Sequence, residues 1–257
     1  MTGISITTSS QAKFKNLLSI ILILCFTAIV CSQEEDKLKI KDHFSGSITA
    51  TNNGISLVPT FSLGKPAAIF NLKMAKKDFS FEPEMRFGLN AKPWSFLFWF
   101  RYKAINNERF SLRVGAHPAL NFRTINVMSN GVERGLIETR RYVASEIVPN
   151  YKITENTSVG MYYLFSKGLD DGLKTAHFVT VNSNFSNVML TEDYFLNISP
   201  SVYYLKLDKN DGFYTTATVN FKKKDFPLSL QTIFNQRIKS NIISDNLVWN
   251  VSLVYSF

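Results

Sequence analysis

The sequence predicts an all-β protein, a transmembrane antiparallel up-and-down β-barrel of about 12 strands. Three observations carry this: an apolar leader, long period-two runs with one apolar and one charged face, and a last segment that alternates up to Phe257. The 22 Phe and 10 Tyr favour strands and amphipathic surfaces in the same direction.

The leader comes first. Leu17 to Val30 is the only long apolar run; Lys13 and Lys15 precede it and no acidic residue occurs before Glu34. That is a charged n-region and an h-region, too short for a membrane-spanning helix. Val30 and Ser32 suit the positions before a signal-peptidase cut, so residues 1–32 are expected to be a signal peptide. Cys31 after an apolar run offers a lipoprotein signal as an alternative, against which the bulky Val30 counts. Residues 33–53 read as a periplasmic N-terminal segment and 54–257 as the barrel. Both cysteines, Cys25 and Cys31, fall in the leader, which leaves no thiol for disulfide, metal or nucleophilic chemistry. Lys and Arg number 29 against 20 Asp and Glu, with two of the basic residues in the leader. An exported basic chain with no basic run beyond Lys222-Lys223-Lys224 points to an anionic lipid or solute, not to nucleic acid.

The alternation follows. Phe79, Phe81, Pro83, Met85, Phe87 and Leu89 fall on one parity, with Ser80, Glu82, Glu84 and Arg86 on the other. Trp94, Phe96, Phe98, Phe100 and Tyr102 oppose Ser95, Arg101 and Lys103; Phe110, Leu112, Val114 and Leu120 oppose Arg113, His117 and Arg123. Each run holds roughly 11 alternating residues, the length a tilted strand needs to cross a hydrocarbon layer. In lipid such strands persist only when closed into a barrel. Weaker runs at Ile55–Leu63, Ala67–Ala75, Leu136–Tyr151, Thr157–Ser166, Thr175–Phe185, Asp193–Lys206, Phe213–Lys222, Phe226–Arg237 and Leu247–Phe257 bring the total to twelve. An even number places both termini on the periplasmic side. The periplasmic turns are then short, whereas Asn126–Gly135, Gly168–Leu173, Lys206–Gly212 and Ile238–Asp245 are the longer outside loops. Pro59, Pro83, Pro118, Pro149 and Pro200 sit on the lipid-facing parity, where bulges or bends are expected.

Trp249, Val251, Leu253, Tyr255 and Phe257 alternate with Val248, Asn250, Ser252, Val254 and Ser256. Here the chain resembles the porin-like outer-membrane β-barrel proteins of Gram-negative bacteria, whose last strand ends in a Phe read by the barrel-assembly machinery. The Ser32-Gln33 junction resembles signal junctions of the Bacteroidota. The resemblance implies location in the cell outer membrane, contact with outer-membrane lipid including lipopolysaccharide, and recognition by that machinery, with other envelope proteins as further partners. Trp94, Tyr102, Tyr151, Tyr194 and Tyr204 lie near predicted strand ends on the lipid-facing parity and suit an aromatic girdle.

The lumen-facing parity carries the candidate site: Glu82, Glu84, Arg86, Arg101, Lys103, Arg113, His117, Arg123, Arg140 and Glu146 on one wall, and mostly Asn, Ser, Thr and Tyr on the other. Pairing about Asn90–Pro93 and Asn106-Asn107 predicts Glu82 opposite Arg101 and Arg113 beside Arg101. This row reads either as an electrostatic constriction in a narrow pore for small, anionic solutes or as a salt-bridged plug in a closed barrel that serves as a structural subunit of an envelope complex. His43, His117 and His177 are scattered, so no enzyme activity, cofactor or metal is expected.

Overall fold

The computed structural model describes residues 43–56, 62–129 and 132–257, of which Ser129 and Val132 are described by backbone alone. The expected signal peptide, and the segment as far as residue 42, lie outside the described residues.

Twelve strands form one closed barrel in which every neighbour in sequence is a neighbour in the sheet. They are β1 (His43–Thr51), β2 (Ala67–Lys76), β3 (Phe79–Gly88), β4 (Pro93–Asn106), β5 (Phe110–Ser129) and β6 (Val132–Lys152), then β7 (Thr157–Gly168), β8 (Thr175–Met189), β9 (Tyr194–Leu207), β10 (Asn210–Lys223), β11 (Leu228–Ser240) and β12 (Leu247–Ser256). All pairs are antiparallel, as short hairpin connections between neighbouring strands require. The outward parity is apolar around the barrel: Phe100, Val143, Val181, Val202, Phe213, Phe234 and Trp249 are all exposed. A soluble fold would bury such a belt. Here it faces hydrocarbon, and the closed ladder leaves no strand edge in it.

The first strand differs from expectation. It is His43–Thr51, inside the segment read as a periplasmic tail, and not Ile55–Leu63; residues 57–61 of that expected strand lie outside the described residues. Gly46 and Ala50 give β1 a weak apolar face, so its alternation is faint. Gly46 is needed there, because a Cβ would lie 2.6 Å from the Phe257 ring and 2.8 Å from the Asn71 carbonyl. Closure rests on five register pairs, Ser47↔Ser256 to Thr51↔Ser252. Beyond them asparagine side chains continue the seam: Val251 N donates to Asn52 Oδ1 at 2.8 Å and Asn53 Nδ2 to the Trp249 carbonyl at 3.1 Å.

Two expected loops are ladders. Asn126–Gly135 belongs to the β5–β6 hairpin, paired from Phe110↔Tyr151 to Ser129↔Val132. At about 3.3 Å per residue its 20-residue strand is roughly 65 Å long, so it projects well past a hydrocarbon band about 25 Å tall. Lys206–Gly212 likewise closes on a two-residue turn at Asp208 and Lys209, with Asp208 at φ 52. Its carboxylate accepts the N–H groups of Lys174 and Thr175, at 3.1 and 2.7 Å, which ties this turn to the β7–β8 loop.

Pro59 lies outside the described residues, and the other four prolines named above do not produce bulges. At Pro83, Pro118, Pro149 and Pro200 one flanking ladder drops out for two residues and resumes in the same register. A proline lacks the donor toward one neighbour only, and the other ladder holds the strand in place. The register shifts fall elsewhere, between Arg86 and Phe87, Lys103 and Ile105, Phe185 and Val188, and Phe213 and Tyr214.

Candidate functional site

The charged row forms, with a register the sequence did not predict. The β3–β4 hairpin closes at Gly88 N to the Lys92 carbonyl, 2.9 Å, a tighter turn than one about Asn90–Pro93. Glu82 therefore faces Trp99, and Arg101 faces Ser80. On the other side Arg101 faces Gly115, while Arg113 faces Lys103. The expected direct Glu82–Arg101 and Arg101–Arg113 neighbours are thus each displaced by one inward position.

Long side chains bridge the displacement. Lys73 Nζ lies 3.1 Å from Glu82 Oε1, and Glu82 also accepts from Arg101 Nη1. Arg101 Nε and Nη2 then donate to the two oxygens of Glu146 at 2.8 and 3.3 Å, and Arg113 Nε donates to Glu146 Oε1 at 3.0 Å. The row is Lys73–Glu82–Arg101–Glu146–Arg113, alternating in sign, with three cations against two carboxylates. Glu146, 1% exposed, is its centre. It sits on β6 and Arg101 on β4, so they meet across β5, and Gly115 makes that possible. A Cβ on Gly115 would lie 3.1 Å from both Arg101 Cγ and Glu146 Cγ. Trp99 supports the row from beside it, with the Arg101 guanidinium 4.3 Å from its ring centre and the buried His117 ring at 4.0 Å.

Other predicted residues make separate pairs. Arg86 binds Glu84 and stacks over Trp94 at 5.0 Å. Nearer the loops, Arg123 and Arg140 share Glu138. Lys103 is exposed near the terminal end of β4 and belongs to none of these groups. Trp94 does not join an outer girdle. It is 2% exposed, because the register shift after Arg86 turns it inward together with Ser95. Tyr102, Tyr151 and Tyr194 are outward at the end of the barrel that holds the termini. Tyr204 is partly covered near the loops, its hydroxyl donating to Asp211 at 2.9 Å. Trp249, Val251, Leu253, Tyr255 and Phe257 are all exposed on the outer face beside the seam.

The opposite wall is not simply polar. Leu164, Phe178, Tyr203, Leu205, Leu207 and Tyr214 are buried inside the barrel, with Ile242 of the β11–β12 loop packed against them. Phe178 and Tyr203 ring centres are 4.9 Å apart, and Tyr203 and Tyr214 stack at the same distance. Tyr203 donates to Asn235 at 2.9 Å and Tyr214 shares a 2.7 Å hydrogen bond with Ser240, so the buried hydroxyls are satisfied. Asn197, Ser199, Ser201, Thr216, Thr218 and Asn220 lie on the same parity closer to the termini and keep that part of the wall polar.

Outside the membrane band, Asp170 of the β7–β8 loop is held by Arg141. Its carboxyl pKa falls to about 2 because the Arg141 side chain and backbone N–H both donate to it. Burial would raise Asp208, yet the N–H groups of Lys174 and Thr175 bring it below the usual carboxylate range.

Three cavities follow the charged wall from end to end. One of about 300 Å³ near the termini is lined by Ser47, Lys73, Glu82, Glu84, Trp99 and Arg101. It shares Glu84, Trp99 and Arg101 with a cavity of about 190 Å³ that also touches Ser95, His117 and Tyr162. That one shares Asn121 and Tyr142 with a vestibule of about 760 Å³ at the loop end, where Arg123, Arg140 and Lys209 line the wall.

No family model and no curated protein matches the sequence. Among solved structures, a KdgM porin is 12% identical with a TM-score of 0.55, over 83% of this chain and 99% of that one. An outer-membrane channel from Pseudomonas putida F1 is also 12% identical, with a TM-score of 0.50, over 87% of this chain and 100% of the other. The fold is that of outer-membrane barrels. At such identity the likeness speaks to fold alone; the apolar belt and the closed ladder are what put this protein in the outer membrane.

Proposed function

We propose that the barrel is a narrow passage for small solutes, favouring anions, which runs along the charged wall. The observation that carries this reading is the run of cavities sharing lining residues from the Lys73–Arg101 end to the Arg123–Arg140 vestibule. Lys73, Glu82, Arg101, Arg123 and Arg140 line these cavities, whereas Phe178, Tyr203, Leu205 and Tyr214 pack against one another and line none of the three. Lys73, Arg101 and Arg113 outnumber Glu82 and Glu146, and Arg123 and Arg140 outnumber Glu138, so cations dominate at both levels. A rim of this kind raises the local concentration of anions and lowers their barrier to entry.

The outward face of β12, from Trp249 to Phe257, is the segment we assign to recognition by the barrel-assembly machinery. The test of the passage is ion conductance of the folded protein in a planar bilayer under a salt gradient. Small discrete steps with a reversal potential on the anion side are expected. A silent membrane would overturn the passage and favour a closed barrel with an envelope partner.

A further inference from the structure

We infer that the outer face of β7–β9, at the loop end, is a binding site for the phosphate group of an outer-leaflet lipid, with Lys167, His177 and Lys206 as its contacts. The starting point is a contrast in charge. Every arginine of the lumen row has a carboxylate partner, whereas Lys167 and Lys206 make no ion pair among the described residues, and both are exposed. An unpaired cation on a membrane barrel is stable where an anion of the membrane completes it.

Register places the three side chains together. His177 is paired with Lys206 on one side and with Phe165 on the other, and Lys167 is the next outward residue after Phe165. Directly opposed residues hold their Cβ atoms about 5 Å apart and diagonal ones about 7–8 Å apart, a span that one phosphate fills. The Tyr163 hydroxyl meets His177 Nδ1 at 3.0 Å, which fixes the imidazole and leaves Nε2 without a partner among the described residues. Asp211 stands opposite Lys206 in register and accepts from the Tyr204 hydroxyl, and Asp208 accepts from Thr175, the residue opposite Lys167; neither carboxylate forms an ion pair with these lysines among the described residues.

Height identifies the occupant as a lipid. Below the three residues the same face is apolar and exposed at Met161, Val181, Val202 and Phe213. Above them lie the β7–β8 loop and the Asp208–Lys209 turn. The cations therefore sit at the upper edge of the hydrocarbon band, at headgroup level, with acyl chains alongside the apolar residues. The longer connections and the projecting β5–β6 hairpin mark this end as the cell exterior. The outer-leaflet lipid of that side is lipid A, which carries phosphates.

The experiment is native mass spectrometry of the purified full chain in detergent, titrated with bisphosphorylated lipid A and with its dephosphorylated form. The unmodified protein is expected to retain one bisphosphorylated lipid A and to bind the dephosphorylated form at least ten-fold more weakly. Lys167→Gln and Lys206→Gln should each weaken retention about five-fold. Lys76→Gln with Lys223→Gln, outward cations at the opposite end, should leave it unchanged. Equal loss from that control pair would mean general charge attraction and overturn the site, as would equal binding of the two lipids. Displacement by millimolar inorganic phosphate would show a site for free anions and overturn the lipid assignment. Heat-modifiable migration on gels verifies that each variant is folded.

Discussion

The two walls of the lumen fill the same space by different physics. Across β7–β10 the barrel is closed by packing: Leu205 is fully buried, and three aromatic rings, Phe178, Tyr203 and Tyr214, run in contact from strand to strand. Across β2–β6 it is closed by charge, through one chain of ion pairs on Glu146. Packed side chains leave no gap between strands, while ion pairs that border the cavities can part and re-form around a solute. A barrel of this size needs one wall of the first kind for stability, and leaves the other for passage.

The largest effect is expected on the packed wall. Phe178→Ala removes a ring that touches both Tyr162 and Tyr203 and leaves a void of ring size. A loss of about 4 kcal/mol follows, read as a shift of the urea midpoint in phospholipid vesicles. The same variant should enlarge the single-channel step, because water gains a second route. If stability falls and conductance stays at the native level, the two walls are not alternative routes.

Glu146→Gln tests the charged wall and should cost about 3 kcal/mol. It leaves Arg113 unpaired and Arg101 with Glu82 alone, and breaking one partner out of a buried pair strands its charge. It should also move the reversal potential further toward anions, since three cations then face one carboxylate. An unchanged reversal potential would separate the row from selectivity and leave it a structural brace.

These two walls were unequally legible in the sequence. Strict alternation with charge on one parity, as in β3 to β5, marks which way each side chain points, and the charged residues were found on that signal. In β8 and β9 both parities are apolar, at Phe178-Val179 and Tyr203-Tyr204-Leu205, so alternation says nothing and the packed core inside the barrel went unseen. Register was harder again. It depends on the length of each turn, and closing the β3–β4 hairpin at Gly88–Lys92 moved Glu82 from Arg101 to Trp99. The resulting shift buried Trp94, which parity alone had placed in the girdle. Glu146 was on the correct face, yet its place at the centre comes from contact across β5, which no pairwise strand argument contains. Gly115 is the one sequence signal that was available: a glycine on the inward parity of a strand, between Arg113 and His117, marks close approach of something on the inner face.

Gly115→Ala is the smallest and sharpest of the three tests. It alters no charge and removes no packed group; it adds one methyl where Arg101 and Glu146 cross, 3.1 Å from each Cγ and from the Phe100 carbonyl. The two side chains must give way, because the backbone oxygen on the third side cannot, at an expected cost of about 1 kcal/mol. If the Arg101–Glu146 contact sets the charge seen by a passing ion, the reversal potential should shift in the direction of the Glu146→Gln variant, by less. A stability loss of that size with no shift would show that the contact braces β4 to β6 and that selectivity is set in the Arg123–Arg140 vestibule instead.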